Sequence, residues 1–153
     1  MDSEIEKLQE GFPVWITLPI QWGDQDAFGH VNNTVYFRWF ESARIAYGRL
    51  VDPEETGDEH KIGPILAAIT CDYRQQLRFP DTVHIGARIT RIGRSSVSME
   101  HRIVSERLKG VAAEGHSTLV TFDYAAQKSV PLPPVQRARI EQIEGKPLPS
   151  VLA

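Results

Sequence analysis

The sequence predicts an α+β fold, a curved antiparallel sheet of about five strands wrapped around one long central helix. Three observations predict it. Between Thr34 and Leu50, Tyr36, Trp39, Phe40, Ala43, Ala46, Tyr47 and Leu50 recur at three- and four-residue steps. From Ile65 to Tyr124 the chain alternates in period two, stretch after stretch, with tight turns between them. One more alternating stretch, Val14 to Trp22, precedes the helix. A single helix can cover one face of such a sheet, and this order of elements provides one.

Taken in order, residues 1–12 form a polar segment of weak helical character, closed by Gly11 and Pro13. The domain proper is expected over 13–128. Its first strand has Val14, Ile16, Leu18, Ile20 and Trp22 on one face, and Pro19 assigns it to an edge or bulge. Asn32 or Asn33 is a good cap for the helix, and Gly48 with Pro53 marks its stop. Val35, Phe37 and Ile45 widen the apolar surface nearly all round, so the helix is expected to be buried on most sides. The acidic run Asp52 to His60 reads as a loop. A long half-buried strand follows from Ile65 to Phe79, turned at Pro80-Asp81 into Val83–Ile89. Gly93–Ser96 and Glu106–Gly110 make the next turns, around Val97–Ile103 and ahead of Val111–Tyr124. Tight turns between consecutive strands predict an antiparallel meander. Residues 129–153 are a Pro-rich tail with room for one short helix, Val135 to Ile143.

With 153 residues the chain has the size of one domain. A net charge of -3 gives no general pull toward nucleic acid or anionic membrane. Cys71 is the one cysteine, so no intrachain disulfide and no cysteine-rich metal site is expected. The acidic start carries no secretory pattern, and no apolar run approaches the ~20 residues that span a bilayer. Cytoplasmic is the default expectation.

Chemistry concentrates in one stretch, Trp22-Gly23-Asp24-Gln25-Asp26-Ala27-Phe28-Gly29-His30-Val31-Asn32-Asn33. Two carboxylates, a histidine and two asparagines arrive where a helix N-terminus offers unpaired N–H groups and a positive dipole end. We read this stretch as the active site. Asp24 fits a structural role, bonding the loop backbone.

The run Asp24 to Asn33, with Tyr36 three places on, resembles the motif of hotdog-fold acyl-CoA thioesterases of the 4-hydroxybenzoyl-CoA thioesterase-like superfamily. His30-Val31-Asn32-Asn33 is also similar to plant acyl-carrier-protein thioesterases. Ala113-Glu114-Gly115 leading into Leu119-Val120 and Asp123, then Val130-Pro131-Leu132-Pro133, follow the same pattern. The resemblance implies a hotdog fold and a homodimer with a sheet continuous across its interface. It also implies frequent homotetramers and active sites at subunit boundaries. The implied reaction is thioester hydrolysis without a metal or bound cofactor, coenzyme A being part of the substrate. The second acid of the motif is the catalytic carboxylate in such proteins, which here is Asp26. Aryl-specific members carry an aromatic pair where this chain has His30-Val31, so an aryl substrate is not implied.

Hydrolysis of a thioester needs a nucleophile or activated water, and donors aimed at the developing oxyanion. Asp26 serves as general base or as nucleophile, two roles the residues leave open. His30 either orients the substrate or holds the loop. Backbone N–H groups of Val31, Asn32, Asn33 and Thr34 are the expected oxyanion donors. Gly29 lets substrate and backbone approach closely. Tyr36 lines core or acyl pocket, while Arg94, Ser95 and Ser96 stand at a strand turn suited to CoA phosphates. Two other readings remain, an acyl-carrier-protein thioesterase and a non-catalytic acyl-CoA-binding module on the same fold.

Overall fold

A computed structural model describes residues 2–53 and 62–151. A seven-stranded sheet curls around one long helix, in the order β1-β3-β4-β5-β2, with short β6 and β7 paired to β5 and β3. The strands are β1 (Val14–Pro19), β2 (Ile62–Tyr73), β3 (Thr82–Gly93), β4 (Ser96–Ser105), β5 (Gly110–Asp123), β6 (Lys128–Ser129) and β7 (Ser150–Val151). The helices are α1 (Ser3–Gln9), α2 (Asn33–Val51) and α3 (Pro134–Glu144). This is the hotdog-like arrangement the sequence led us to expect. The acidic loop expected from Asp52 to His60 lies mostly outside the described residues.

Helix α2 is capped by Asn32, whose side chain accepts a hydrogen bond from Thr34 N. Tyr36, Trp39, Phe40, Ala43, Tyr47 and Val51 form its buried face. Phe40 is seated on Gly115 of β5, where a Cβ would stand only 2.5 Å from the ring. Gly48 does not end the helix, which continues to Val51. Burial all round is not found within one chain, because Ile45 and Leu50 are half exposed. One sheet can cover only one face of a helix.

β3, β4 and β5 form the expected meander. β2 departs from it. It pairs with β5 and forms the opposite edge from β1, so Pro80-Asp81 makes no hairpin between β2 and β3. β2 stops at Tyr73, and the chain then crosses the open end of the sheet with Leu77 buried beneath it. Leu77 and Phe79 are therefore loop residues. β1 likewise stops at Pro19, and Trp22 is an exposed member of a 3-10 turn, Trp22–Asp24.

Both ends of the chain are fastened to this frame. α1 is capped by Asp2 and buries Ile5. Arg102 donates to Leu8 O and Arg88 to Gly11 O, with both guanidiniums stacked over the Phe12 ring. At the other end the Glu144 carboxylate accepts from Tyr47 Oη and from Ile89 N, joining α3 to α2 and β3.

One core side chain makes stability pH-dependent. His101 is buried, stacked on Phe40 at 4.8 Å, with Nε2 2.8 Å from Ser117 Oγ. Burial, and then the Arg44 charge, push its pKa down to about 3. The unfolded chain takes up this proton below an ordinary histidine pKa of about 6.5, and the folded chain does not. Stability is thus full above that value and falls as pH drops toward 3. Between pH 7 and pH 5 the expected loss is about 2 kcal/mol. Urea unfolding at the two pH values should show it, and His101→Gln should lack that part of the slope. Parallel slopes would overturn the assignment.

Candidate active site

The motif loop is built by its own backbone. Asp24 accepts from Gln21 N through Oδ2 at 2.8 Å, and its carbonyl accepts from Asn32 N at 2.9 Å. Asp24 is thus a structural residue, as its place before the turn suggested. From Asp26 the chain reverses sharply: Asp26 N donates to His30 O and Gly29 N donates to Asp26 O. Gly29 adopts φ 80°, a left-handed conformation costly for any side chain, and a Cβ there would meet nothing. Backbone geometry therefore requires glycine at this point.

Asp26 is exposed, and its Oδ1 accepts from Phe28 N at 2.8 Å and from His30 N at 3.4 Å. Both of its side-chain hydrogen bonds among the described residues fall on Oδ1. Asp26 and His30 line an open cleft of about 460 Å³ at the start of α2, together with Asn33, Tyr36, Tyr73 and Arg74. Tyr36 is buried at its base, edge-on to Tyr73 at 4.9 Å. Burial is the main cause that pushes the Tyr36 and Tyr73 hydroxyls up to about 12 and the nearby Cys71 thiol up to about 11. All three stay protonated near neutral pH. Asp26 and His30 bring a carboxylate and an imidazole to the same cleft.

The four amides expected as oxyanion donors are not equivalent. Val31 N donates to Leu77 O at 2.8 Å, Asn32 N to Asp24 O, and Thr34 N to the Asn32 side chain. Each is committed to an acceptor. Asn33 N–H has none among the described residues, and it stands at the positive end of a helix of 19 residues. The expectation narrows to Asn33.

Arg94, Ser95 and Ser96 are not brought to this cleft within one chain. They form the turn at the far end of β3, whereas the motif loop follows β1 near Thr82, where Ile20 N donates to Asp81 O. Twelve strand residues separate the two ends, on the order of 35 Å. Sequence reading missed Tyr73, Arg74 and Gln75 as rim residues. The signal was present, because the alternation of β2 breaks at Arg74-Gln75-Gln76. Tyr73 Oη donates to Asn33 O at 3.0 Å, tying the end of β2 to the start of α2. Among the described residues no group of three or more His, Cys, Asp or Glu could hold a metal ion.

The sequence model of the thioesterase-like superfamily matches residues 20–140. A thioesterase from Thermus thermophilus, solved with coenzyme A and Zn, is 35% identical, with a TM-score of 0.80, over 91% of this chain and 99% of that one. The PA2801 protein from Pseudomonas aeruginosa is 34% identical, with a TM-score of 0.74, over 84% and 98%. The long-chain acyl-CoA thioesterase FadM of Escherichia coli K12 is 26% identical over 77% of this chain and 89% of its own.

Proposed function

This chain belongs to the thioesterase-like superfamily and is a thioester hydrolase, and we propose that it cuts acyl-CoA thioesters to a free acid and coenzyme A at the Asp26 cleft. One observation carries the assignment to that cleft. An exposed carboxylate, held through one oxygen by backbone amides, stands beside a helix N-terminus with one uncommitted N–H. Asp26 acts as general base toward water or attacks the thioester carbonyl itself, forming a mixed anhydride that water then opens. In either route negative charge grows on the carbonyl oxygen. The Asn33 N–H and the positive end of α2 favour that charge. His30 supports the turn through its backbone and lines the cleft, where its imidazole would orient the substrate. Coenzyme A serves as the leaving group of the substrate, and no other cofactor enters this scheme.

We assign the working unit to a dimer. β2 is an edge strand whose Ile65, Leu66 and Tyr73 are exposed, and Ile45 and Leu50 are exposed on α2. Edges of this length and apolarity call for a cover. Two β2 edges pairing antiparallel would extend the sheet and set the two α2 helices side by side in opposite directions. Arg94, Ser95 and Ser96 of one copy would then approach Asp26 of the other, where CoA phosphates need cationic and hydroxyl partners. Residues 13–128 would form the catalytic domain, flanked by the N-terminal helix and the Pro-rich tail. One cysteine and a net charge of -3 suit a cytoplasmic setting.

The test is thiol release from short-, medium- and long-chain acyl-CoAs and aryl-CoAs, with sedimentation of the same sample. Turnover of at least one acyl-CoA by a dimer is expected. A protein that binds these thioesters saturably and releases no thiol would be a binding module instead.

A further inference from the structure

We propose that Tyr73, the last residue of the edge strand β2, is a positioning residue that aims the oxyanion donor, the Asn33 N–H. This role rests on the thioesterase reading and deepens it at the same cleft. Tyr73 Oη donates to Asn33 O at 3.0 Å, across 40 residues of sequence. The helix has no need of that bond. Its ladder already supplies the carbonyl of a first residue with the amide four places on. Tyr73 takes the second lone pair of the same oxygen.

Two peptide planes meet at Asn33, and between them they carry four hydrogen-bonding groups. Asn32 O accepts from Val35 N at 3.0 Å, Thr34 N donates to Asn32 Oδ1 at 2.9 Å, and Asn33 O accepts from Tyr73. The fourth group is the Asn33 N–H, whose direction follows from the other three. The first two bonds join near neighbours and travel with the loop. The third reaches the sheet, and so fixes both planes relative to the wall of the cleft.

β2 gives Tyr73 a firm base. Tyr73 pairs with Ala113 of β5, and Arg74 N and Gln75 N both donate to Ala112 O, at 2.8 and 3.1 Å. A few residues on, Leu77 O accepts from Val31 N at 2.8 Å, a second bond from the same segment to the motif. The Tyr73 ring meets Tyr36 of α2 edge-on at 4.9 Å, which steadies the hydroxyl. Tyr73 is 46% exposed, so packing within the chain does not call for it. Attack on a thioester carbonyl needs the attacking group and the donor in fixed relation, and a misplacement of about 1 Å costs on the order of 10²-fold. Asp26 is set by its own turn, whereas the Asn33 N–H is set from the sheet through Tyr73.

The experiment measures kcat and KM of wild type, Tyr73→Phe, Asn33→Pro and the double variant on the best acyl-CoA of the thiol-release panel. Tyr73→Phe keeps the ring and removes the hydroxyl alone. It should lower kcat roughly tenfold, a part of the loss that follows removal of the donor itself, with KM within about twofold. Melting temperature and sedimentation should stay as in wild type. The double variant should be no slower than Asn33→Pro, because no donor is left to aim. A second arm needs no turnover and serves even if Asn33→Pro fails to fold. A trifluoromethyl-ketone analogue of the acyl-CoA, whose hydrate resembles the tetrahedral intermediate, should bind Tyr73→Phe roughly tenfold more weakly than wild type. The thioether analogue, which has no carbonyl, should bind both alike. Full kcat in Tyr73→Phe, a loss that falls on KM, losses that multiply in the double variant, or dissociation to monomers would overturn the role. Failure of the thioesterase reading looks different. Wild type would then release no thiol and would bind ketone and thioether equally.

Discussion

Asp26→Asn should lower turnover of the best acyl-CoA by at least about 10³-fold, the middle of the range for losing a positioned base. Melting temperature and dimerisation should barely change. The reason lies in the loop: only Oδ1 holds structure, accepting from Phe28 N and His30 N, and an amide oxygen can accept the same bonds. The substitution therefore removes charge and basicity while leaving the turn in place. A protein that keeps most of its activity would take Asp26 out of the chemistry. A protein that unfolds would mean that the charge itself holds the turn. A single turnover in oxygen-18 water then tests the covalent route. Label in the aspartyl carboxylate after one cycle marks attack by Asp26 on the thioester. Label in the released acid alone fits both Asp26 acting as base and an anhydride opened at its acyl carbonyl, and trapping the covalent acyl-enzyme by acid quench then distinguishes them.

Asn33→Pro is expected to lower kcat by about 10²- to 10³-fold, the usual effect of removing one oxyanion donor. Proline at the first position of a helix deletes only an N–H that the helix does not use. Asn32 already has ψ 138°, the extended conformation that a residue before proline requires. The helix should therefore form as before, with Asn32 still capping Thr34. Asn33→Ala is the matched comparison, because it removes the carboxamide and keeps the N–H. Its kcat should lie within about tenfold of wild type if the backbone is the donor. Equal losses in the two variants would shift the role to the Asn33 side chain or to another amide.

These two substitutions also show how far the site was legible. The motif stretch, the place of Asp24 as a loop residue and the start of α2 at Asn32 all follow from neighbours within a few residues. Local bonds of this kind are written in local sequence. The fate of the four amides is not. Val31 N–H is consumed by the carbonyl of Leu77, a loop residue from beyond β2. No spacing near Val31 announces an acceptor so far along the chain.

The same division holds for the fold. Period-two alternation and tight turns correctly identified β3, β4 and β5 as a meander, and three- and four-residue recurrence identified the buried face of α2 except at its end, where Leu50 is exposed. Alternation reports which side of a strand meets the core, but not which strand lies beside it. The edge position of β2 and the distance of Arg94, Ser95 and Ser96 from Asp26 in one chain therefore appeared only in the folded molecule. By itself the sequence determined the element types, the reactive stretch and its chemistry, because bonds between near neighbours and side-chain periodicity decide those. Tertiary structure decided which strands are edges and which amide is free. Each of these depends on contacts between residues that only the completed fold brings together.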